Sequence, residues 1–156
     1  MATKATEVEV LAELMLTDAY DFVLSGWCQG SLALDECARP IEPGSAFARR
    51  WSVLGALERA WRRSPEPPDA ALEAFESAKR ALTAAVNDVP QVWNDSDNRR
   101  QSEVLDALAE AVQLVATAGP QRPDLLAELV ENVDRVSPRR RPEAPLPAPA
   151  ETPHEL

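Results

Sequence analysis

The chain has few of the residues on which metal or nucleophilic chemistry usually depends. Its 156 residues include one histidine, His154, and two cysteines, Cys28 and Cys37. A structural zinc site takes about four ligands, so these residues do not supply one. No histidine in the region expected to fold can activate Cys28 as a nucleophile. Since Gly-rich phosphate-binding loops and Ser-His-Asp sets are absent as well, we expect no metal and no cofactor.

Long apolar runs and positive charge are also scarce. No stretch approaches the ~18 apolar residues of a membrane span, and Glu7, Glu9 and Glu13 occupy the region where a secretory signal would be hydrophobic. We therefore expect a cytoplasmic protein with reduced thiols and no membrane contact. The formal net charge of −10 argues against direct nucleic-acid binding, which depends on clustered Lys and Arg. It leaves open an acidic inhibitor that imitates nucleic acid.

The spacing of apolar residues predicts an all-α fold with four to five helices, two polar loops that contain Trp, and a Pro-rich tail. The expected loops are residues 27–44 and 87–97, and Pro90 is expected to keep the second from being helical. The expected helices cover residues 7–25, 46–63, 70–86, 99–118 and 123–136.

Local signals refine the helix boundaries. Polar residues that can accept backbone hydrogen bonds are expected to cap the first four helices; they are Thr6, Ser45, Asp69 and Asn98. In the second helix, the residues expected on the buried face are Phe47, Trp51, Leu54 and Trp61. Gly55 shares that face, where its missing side chain would let another backbone come close.

The composition changes at residue 137. We expect residues 1–136 to form one helical domain and residues 137–156 to be a disordered tail, because the tail is rich in Pro, Ala and Arg and has no core-forming pattern. Near its start the tail carries the triplet Arg139-Arg140-Arg141, which we expect to be solvated.

Two short loops hold the residues best suited to binding. The first carries Trp27 and Gln29, and the second carries Trp93, Asn94 and Asp95. Loops on a rigid scaffold often carry binding groups. An indole offers a large apolar area with one N–H donor, and an amide offers both a donor and an acceptor. Each residue also has a structural interpretation, in which the indoles close the end of the core and the amides satisfy loop backbone.

The charged residues of the candidate site are Asp35, Asp95 and Arg99. Asp35 or Asp95 would act as a general base if it faced a cleft, and would otherwise cap a turn. Arg99 would bind an anion, or pair with Asp95 or a neighbouring acid. If the first helix and the helix after residue 98 are antiparallel neighbours, the two loops meet.

Three functions follow from these residues. The favoured one is a binding or adaptor module that recognises a protein or a small polar ligand through the two Trp-containing loops. The second is a small enzyme that uses Asp35 or Asp95 as its base. The third is the acidic inhibitor.

The order of these elements resembles an uncharacterised family of short helical bacterial and phage proteins, a domain of unknown function. Its pattern is Gly-Trp-x-Gln-Gly, then Trp-x-x-x-Gly-Ala-Leu, then Trp-Asn-Asp, then Glu-Val-Leu. In this chain the four motifs begin at Gly26, Trp51, Trp93 and Glu103. The resemblance covers residues 11–115 and brings no activity with it; it implies that the two loops occur together, as one site or one structural lock. Ser52 and Arg100 stand where the family often has Cys and Thr, so no shared thiol chemistry is implied.

Overall fold

The computed structural model describes residues 4–118, which contain five helices and one small sheet. The fold is therefore mostly helical, but it is not all-α as the apolar pattern predicted. The predicted helix over residues 123–136, the tail and the domain boundary at residue 136 lie outside the described residues. The helices are α1 (Lys4–Ser25), α2 (Val53–Arg62), α3 (Pro68–Val86), α4 (Pro90–Asn94) and α5 (Gln101–Thr117), and the strands are β1 (Ala33–Leu34) and β2 (Arg50–Trp51).

Helix α1 is the centre of the described part. It packs against α5, α3 and α2, and α3 packs in turn against α5. The buried positions of these helices recur at intervals of three and four, as expected for one apolar face. Many of them are alanines, whose small side chains leave room for neighbouring helices. The buried residues are Ala12, Met15, Leu16, Ala19 and Val23 on α1, Ala71, Ala74, Phe75, Ala78, Ala81 and Leu82 on α3, and Val104, Ala107, Leu108, Ala111 and Val115 on α5.

The second helix is shorter than predicted. It begins at Val53, and its N-cap is Ser52, not Ser45. The Ser52 Oγ accepts a hydrogen bond of 3.0 Å from the backbone N–H of Gly55. The predicted start was wrong because Arg50 and Trp51 pair with the antiparallel strand β1, which takes the preceding backbone out of the helix.

The buried face of α2 also differs from the prediction. Phe47 precedes the helix and is 70% exposed, and Leu54 is only partly buried. Leu57 is fully buried in its place. Gly55 behaves as predicted, because a Cβ atom at this position would overlap the carbonyl oxygen of Leu32.

The segment after α3 is helical where a loop was predicted. Pro90 is the first residue of α4 and is buried. A proline is well tolerated there because the first helical N–H has no intrahelical acceptor to lose. Pro90 therefore starts a short helix instead of preventing one.

The remaining caps lie near, but not at, the predicted residues. Helix α1 begins at Lys4, so Thr6 lies inside it, and α3 begins at Pro68, ahead of Asp69. Arg100, not Asn98, precedes α5, and its backbone N–H donates to Glu103 Oε2 at 2.7 Å.

Candidate functional site

The two loops meet at one end of the helical core. Gln101, at the start of α5, donates from Nε2 to the carbonyl oxygen of Val23 near the end of α1, at 2.7 Å. The last turn of α1 therefore lies beside the first turn of α5, and the predicted meeting of the loops is confirmed. We call the contact between residues 27–30 and residues 91–96 the Asn94 junction.

Asn94 is the centre of this junction and is fully buried. Its Oδ1 accepts hydrogen bonds from Trp27 Nε1 at 2.9 Å and from the backbone N–H of Val53 at 3.0 Å. Its Nδ2 donates to the carbonyl oxygen of Cys28 at 3.1 Å and to Asp95 Oδ1 at 2.9 Å. An amide side chain offers two donors and two acceptor sites. All four are used, so the Asn94 side chain has no polar group left for a ligand.

Gln29 and Asp95 lie on the exposed side of the junction. Gln29 Nε2 donates to the carbonyl oxygens of Asn94 and Ser96, at 2.8 and 3.0 Å. The backbone N–H of Gly30 donates to Asp95 Oδ1 at 3.0 Å. Gly30 has a φ of 80°, a conformation that glycine adopts without a steric penalty. These bonds close the first loop over the second.

Two residues that were not predicted extend the junction to α2. Ser52 Oγ donates to Gln91 Oε1 at 2.8 Å, and Gln91 Nε2 donates to Asp95 Oδ2 at 3.1 Å. The spacing of Gln91 and Asp95, four residues apart, was the one signal that could have suggested the second bond. The contact with Ser52 joins residues far apart in the chain, and no local sequence pattern predicts it.

Trp93 and Arg99 form a stacked pair beside the junction. The Arg99 Cζ lies 3.9 Å from the centroid of the Trp93 ring. Arg99 Nε donates to the Trp93 carbonyl oxygen at 3.0 Å, and Nη1 lies 3.3 Å from Glu103 Oε1. The carboxylate partner of Arg99 is therefore Glu103, one of the neighbouring acids that the sequence allowed, and not Asp95.

Asp35 lies in a different turn. Its Oδ1 accepts the backbone N–H groups of Cys37 and Arg39, both at 2.9 Å, and its Oδ2 accepts from Arg39 Nε at 3.1 Å. The hydrogen bond from the Arg39 backbone is the main reason that the pKa of Asp35 is lowered. Asp35 lines an open cavity of about 290 Å³ together with Phe47 and Arg49, and Asp95 is not among its lining residues. The structure thus does not bring Asp35 and Asp95 to one cleft.

The two cysteines are free and differ in exposure. The Cys28 thiol is buried and donates to the Ser31 carbonyl oxygen at 3.5 Å. Burial raises its pKa to about 11, so the thiolate is scarce at neutral pH. Cys37 is exposed. Within residues 4–118, no group of three or more His, Cys, Asp or Glu side chains is arranged to hold a metal ion.

A comparison with known protein families assigns this chain to one of them. The sequence profile described as a family of unknown function (DUF6197) matches residues 9–114, which is more than half of the chain. The chain belongs to this family. The DUF6197 match includes both loops of the Asn94 junction and most of the described elements. No curated protein and no solved structure matches the chain significantly. Among the described helices, none has the length and apolar character needed to cross a membrane.

Proposed function

We propose that this DUF6197 protein is a binding module that recognises a polypeptide through the surface of α4 and the Asn94 junction. The observation that carries the proposal is the exposure of Val89 and Val92, at 59% and 60% of their surfaces. They flank Pro90, and their segment is held to the body by the buried Asn94. Apolar side chains on a segment that is already ordered bind at a lower entropic cost than those on a free loop.

The predicted binding residues divide into two groups in this proposal. Trp27 and Asn94 would support the binding surface without touching the ligand through their polar atoms, because those atoms are bonded to each other. Gln29 and Asp95 are exposed, and Trp93 and Arg99 are half-exposed. Trp93, Asp95 and Arg99 follow Val92 in the chain, and Gln29 is bonded to the carbonyl oxygens of Asn94 and Ser96. The second group would therefore border the bound segment.

The charge around α4 indicates the chemistry of the partner. Asp88, Asp95 and Asp97 are all exposed on the same stretch as the two valines, and the whole chain carries a formal net charge of −10. A complementary segment would carry apolar side chains flanked by Lys or Arg, since charge complementarity steers association and sets specificity.

The enzyme hypothesis has less support. Asp95 accepts hydrogen bonds from Gly30 and Asn94, and hydrogen bonds stabilise the ionised form of Asp35. A general base works best with a pKa near the operating pH, and the shift of Asp35 is in the opposite direction. Nothing in the described residues favours the acidic-inhibitor hypothesis over a peptide-binding surface.

Selection from a displayed peptide library, with the full chain as bait, tests the proposal. We expect the selected peptides to share apolar residues flanked by Lys or Arg, and their binding to weaken as salt is raised. The double variant Val89→Ala, Val92→Ala removes apolar surface without adding charge, and it should lose this binding while keeping its melting temperature. Leu72→Ala is the matched control, because Leu72 is also exposed (46%) but lies on α3. Equal binding by the double variant, or the absence of any selected peptide, would overturn the proposal.

A further inference from the structure

Two arginines of α2 and its C-cap lie against the same aromatic ring. The Arg59 Cζ is 5.1 Å from the ring centroids of both Phe22 and Trp51. The Arg63 Cζ is 5.6 Å from the centroid of Phe22. The two guanidinium groups are therefore neighbours, one helical turn apart, above a ring supplied by α1.

A third arginine joins them through the segment that precedes β2. Arg59 Nη1 donates to the carbonyl oxygens of Pro43 and Ser45, both at 2.9 Å. Arg49 Nη1 donates to the carbonyl oxygens of Ala46 and Ala48, at 2.9 and 3.0 Å. Arg59 and Arg49 thus hold consecutive parts of one short segment. We call Arg49, Arg59 and Arg63 the arginine cluster.

No acid of the described residues forms a close ion pair with the arginine cluster. None of its members forms an ion pair within residues 4–118, although Arg39, Arg62 and Arg99 each do. The Arg59 Nε is buried without a hydrogen-bond acceptor. Burial lowers the pKa of Arg59, and the nearby charges of Arg63 and Arg49 lower it further. The arrangement costs free energy that a bound anion would offset.

The helix dipole accounts for only part of this arrangement. Arg59 and Arg63 lie at the carbonyl end of α2, where a positive charge is favourable. Arg49 is not part of that helix or of its C-cap. The helix dipole alone therefore does not explain why three arginines gather in a chain with 26 acidic residues.

We propose that the arginine cluster binds a small oxyanion of the phosphate class. Guanidinium groups match the geometry of phosphate oxygens and donate two parallel hydrogen bonds. Arg59 is held in place by two carbonyl oxygens and two aromatic rings, so little side-chain freedom is lost on binding. Arg63 is exposed and makes no described hydrogen bond through its side chain, so its donors are available. This site is separate from the peptide-binding surface proposed at α4.

The test is the melting temperature of the full chain in inorganic phosphate, compared with chloride at equal ionic strength. A ligand that binds only the folded state raises the melting temperature according to its concentration and its Kd. We expect phosphate to stabilise the wild-type protein. Arg63→Gln should raise the Kd for phosphate about tenfold or more, because charge-assisted hydrogen bonds are lost. Arg80→Gln, which removes an exposed arginine of α3, is the matched control and should bind as the wild type does.

Three outcomes decide whether the arginine cluster binds phosphate and in which form. Equal phosphate binding by Arg63→Gln, or no stabilisation beyond that of chloride, would overturn the proposal. A phosphate monoester that binds more tightly than inorganic phosphate would support a phosphoryl group of a larger molecule, and weaker binding would support the free ion. Selected peptides should bind Arg63→Gln normally, so a failure here and a failure of the α4 proposal can be told apart.

Discussion

At the scale of single residues, one buried amide joins three segments of this fold. Asn94 is bonded to Trp27, Cys28 and Val53, which lie on segments distant in sequence. The Val53 N–H and the Cys28 carbonyl are buried in these contacts, and the Trp27 indole is partly buried. Such groups cost about 1–3 kcal/mol each when they are left unpaired. Asn94 therefore ties the first loop, the start of α2 and α4 together.

We expect Asn94→Ala to lower the free energy of unfolding by at least about 2 kcal/mol, because two buried groups and one partly buried group lose their partner. Gln29→Ala is the control. Its side chain is exposed, so water can replace the lost bonds and the cost should be about 1 kcal/mol or less. Urea denaturation of both variants measures the difference. Similar losses for the two would show that the buried amide is not the main contributor.

The two cysteines should differ sharply in reactivity. At pH 8 a disulfide-exchange reagent should modify Cys37 in the native protein and leave Cys28 unmodified, because burial raises the pKa of Cys28 to about 11 and the thiolate is the nucleophile. Denaturant should expose both thiols. Rapid modification of Cys28 in the native protein would contradict the burial that the structure gives it.

The same shift has a consequence for stability at high pH. The ordinary pKa of the thiol is 9.0, and its folded value is about 11. Between these values the unfolded chain loses the proton and the folded chain keeps it, so stability falls as the pH rises through this range. The decline should be smaller in Cys28→Ala, as urea denaturation at each pH would show.

At the scale of elements, the apolar pattern predicted the long helices better than the short ones. The long helices span four turns or more, so their periodicity was visible in the sequence. In α3, however, alanines occupy most of the buried positions while Leu72 is exposed, so the size of a side chain was a poor guide to the face. The start of α2 was mispredicted because the pairing of Arg50 and Trp51 with β1 is a contact between distant residues.

The candidate site was partly predictable, because it depends on two of the long helices. The meeting of the loops followed from the packing of two long helices, and the geometry of Gln101 with Val23 confirms it. The partners of Asn94 did not follow, because the N–H of Val53 becomes available only when the helix begins there. No pattern among neighbouring residues in the sequence predicts such a bond.

The contact between α2 and the segment before β1 can be tested through Gly55. A Cβ atom there would overlap the carbonyl oxygen of Leu32, a backbone atom that cannot move aside alone. Gly→Ala in a helix is normally stabilising by about 0.5–1 kcal/mol. We expect Gly55→Ala instead to destabilise by about 1–3 kcal/mol or more, as overpacking does.

Gly44→Ala is a suitable comparison in the same thermal or urea denaturation. Its added Cβ would meet the Arg62 side chain at 3.0 Å, and a flexible side chain can move. The change in stability should therefore be small. A stabilised Gly55→Ala variant would mean that α2 does not approach Leu32 as closely as the structure places it.

At the scale of the whole molecule, apolar packing and buried hydrogen bonds stabilise the fold, whereas the net negative charge destabilises it. Most of the described ion pairs, such as Arg62 with Glu58 and Lys79 with Glu76, join residues three or four positions apart and are at least partly exposed. Pairs of this kind contribute about 0–1 kcal/mol each. A formal net charge of −10 adds repulsion among the acids of the compact chain.

Salt should therefore stabilise this protein. The screening length is about 30 Å at 0.01 M and about 10 Å at 0.1 M ionic strength, so sodium chloride screens the long-range repulsion first and the close ion pairs least. We expect the free energy of unfolding from urea titrations to increase over this range. Chloride is the appropriate anion, because phosphate would add any binding at the arginine cluster. A decrease in stability with chloride would show that the local ion pairs outweigh the net repulsion, and that Arg62 and its acidic neighbours contribute more than their exposure implies.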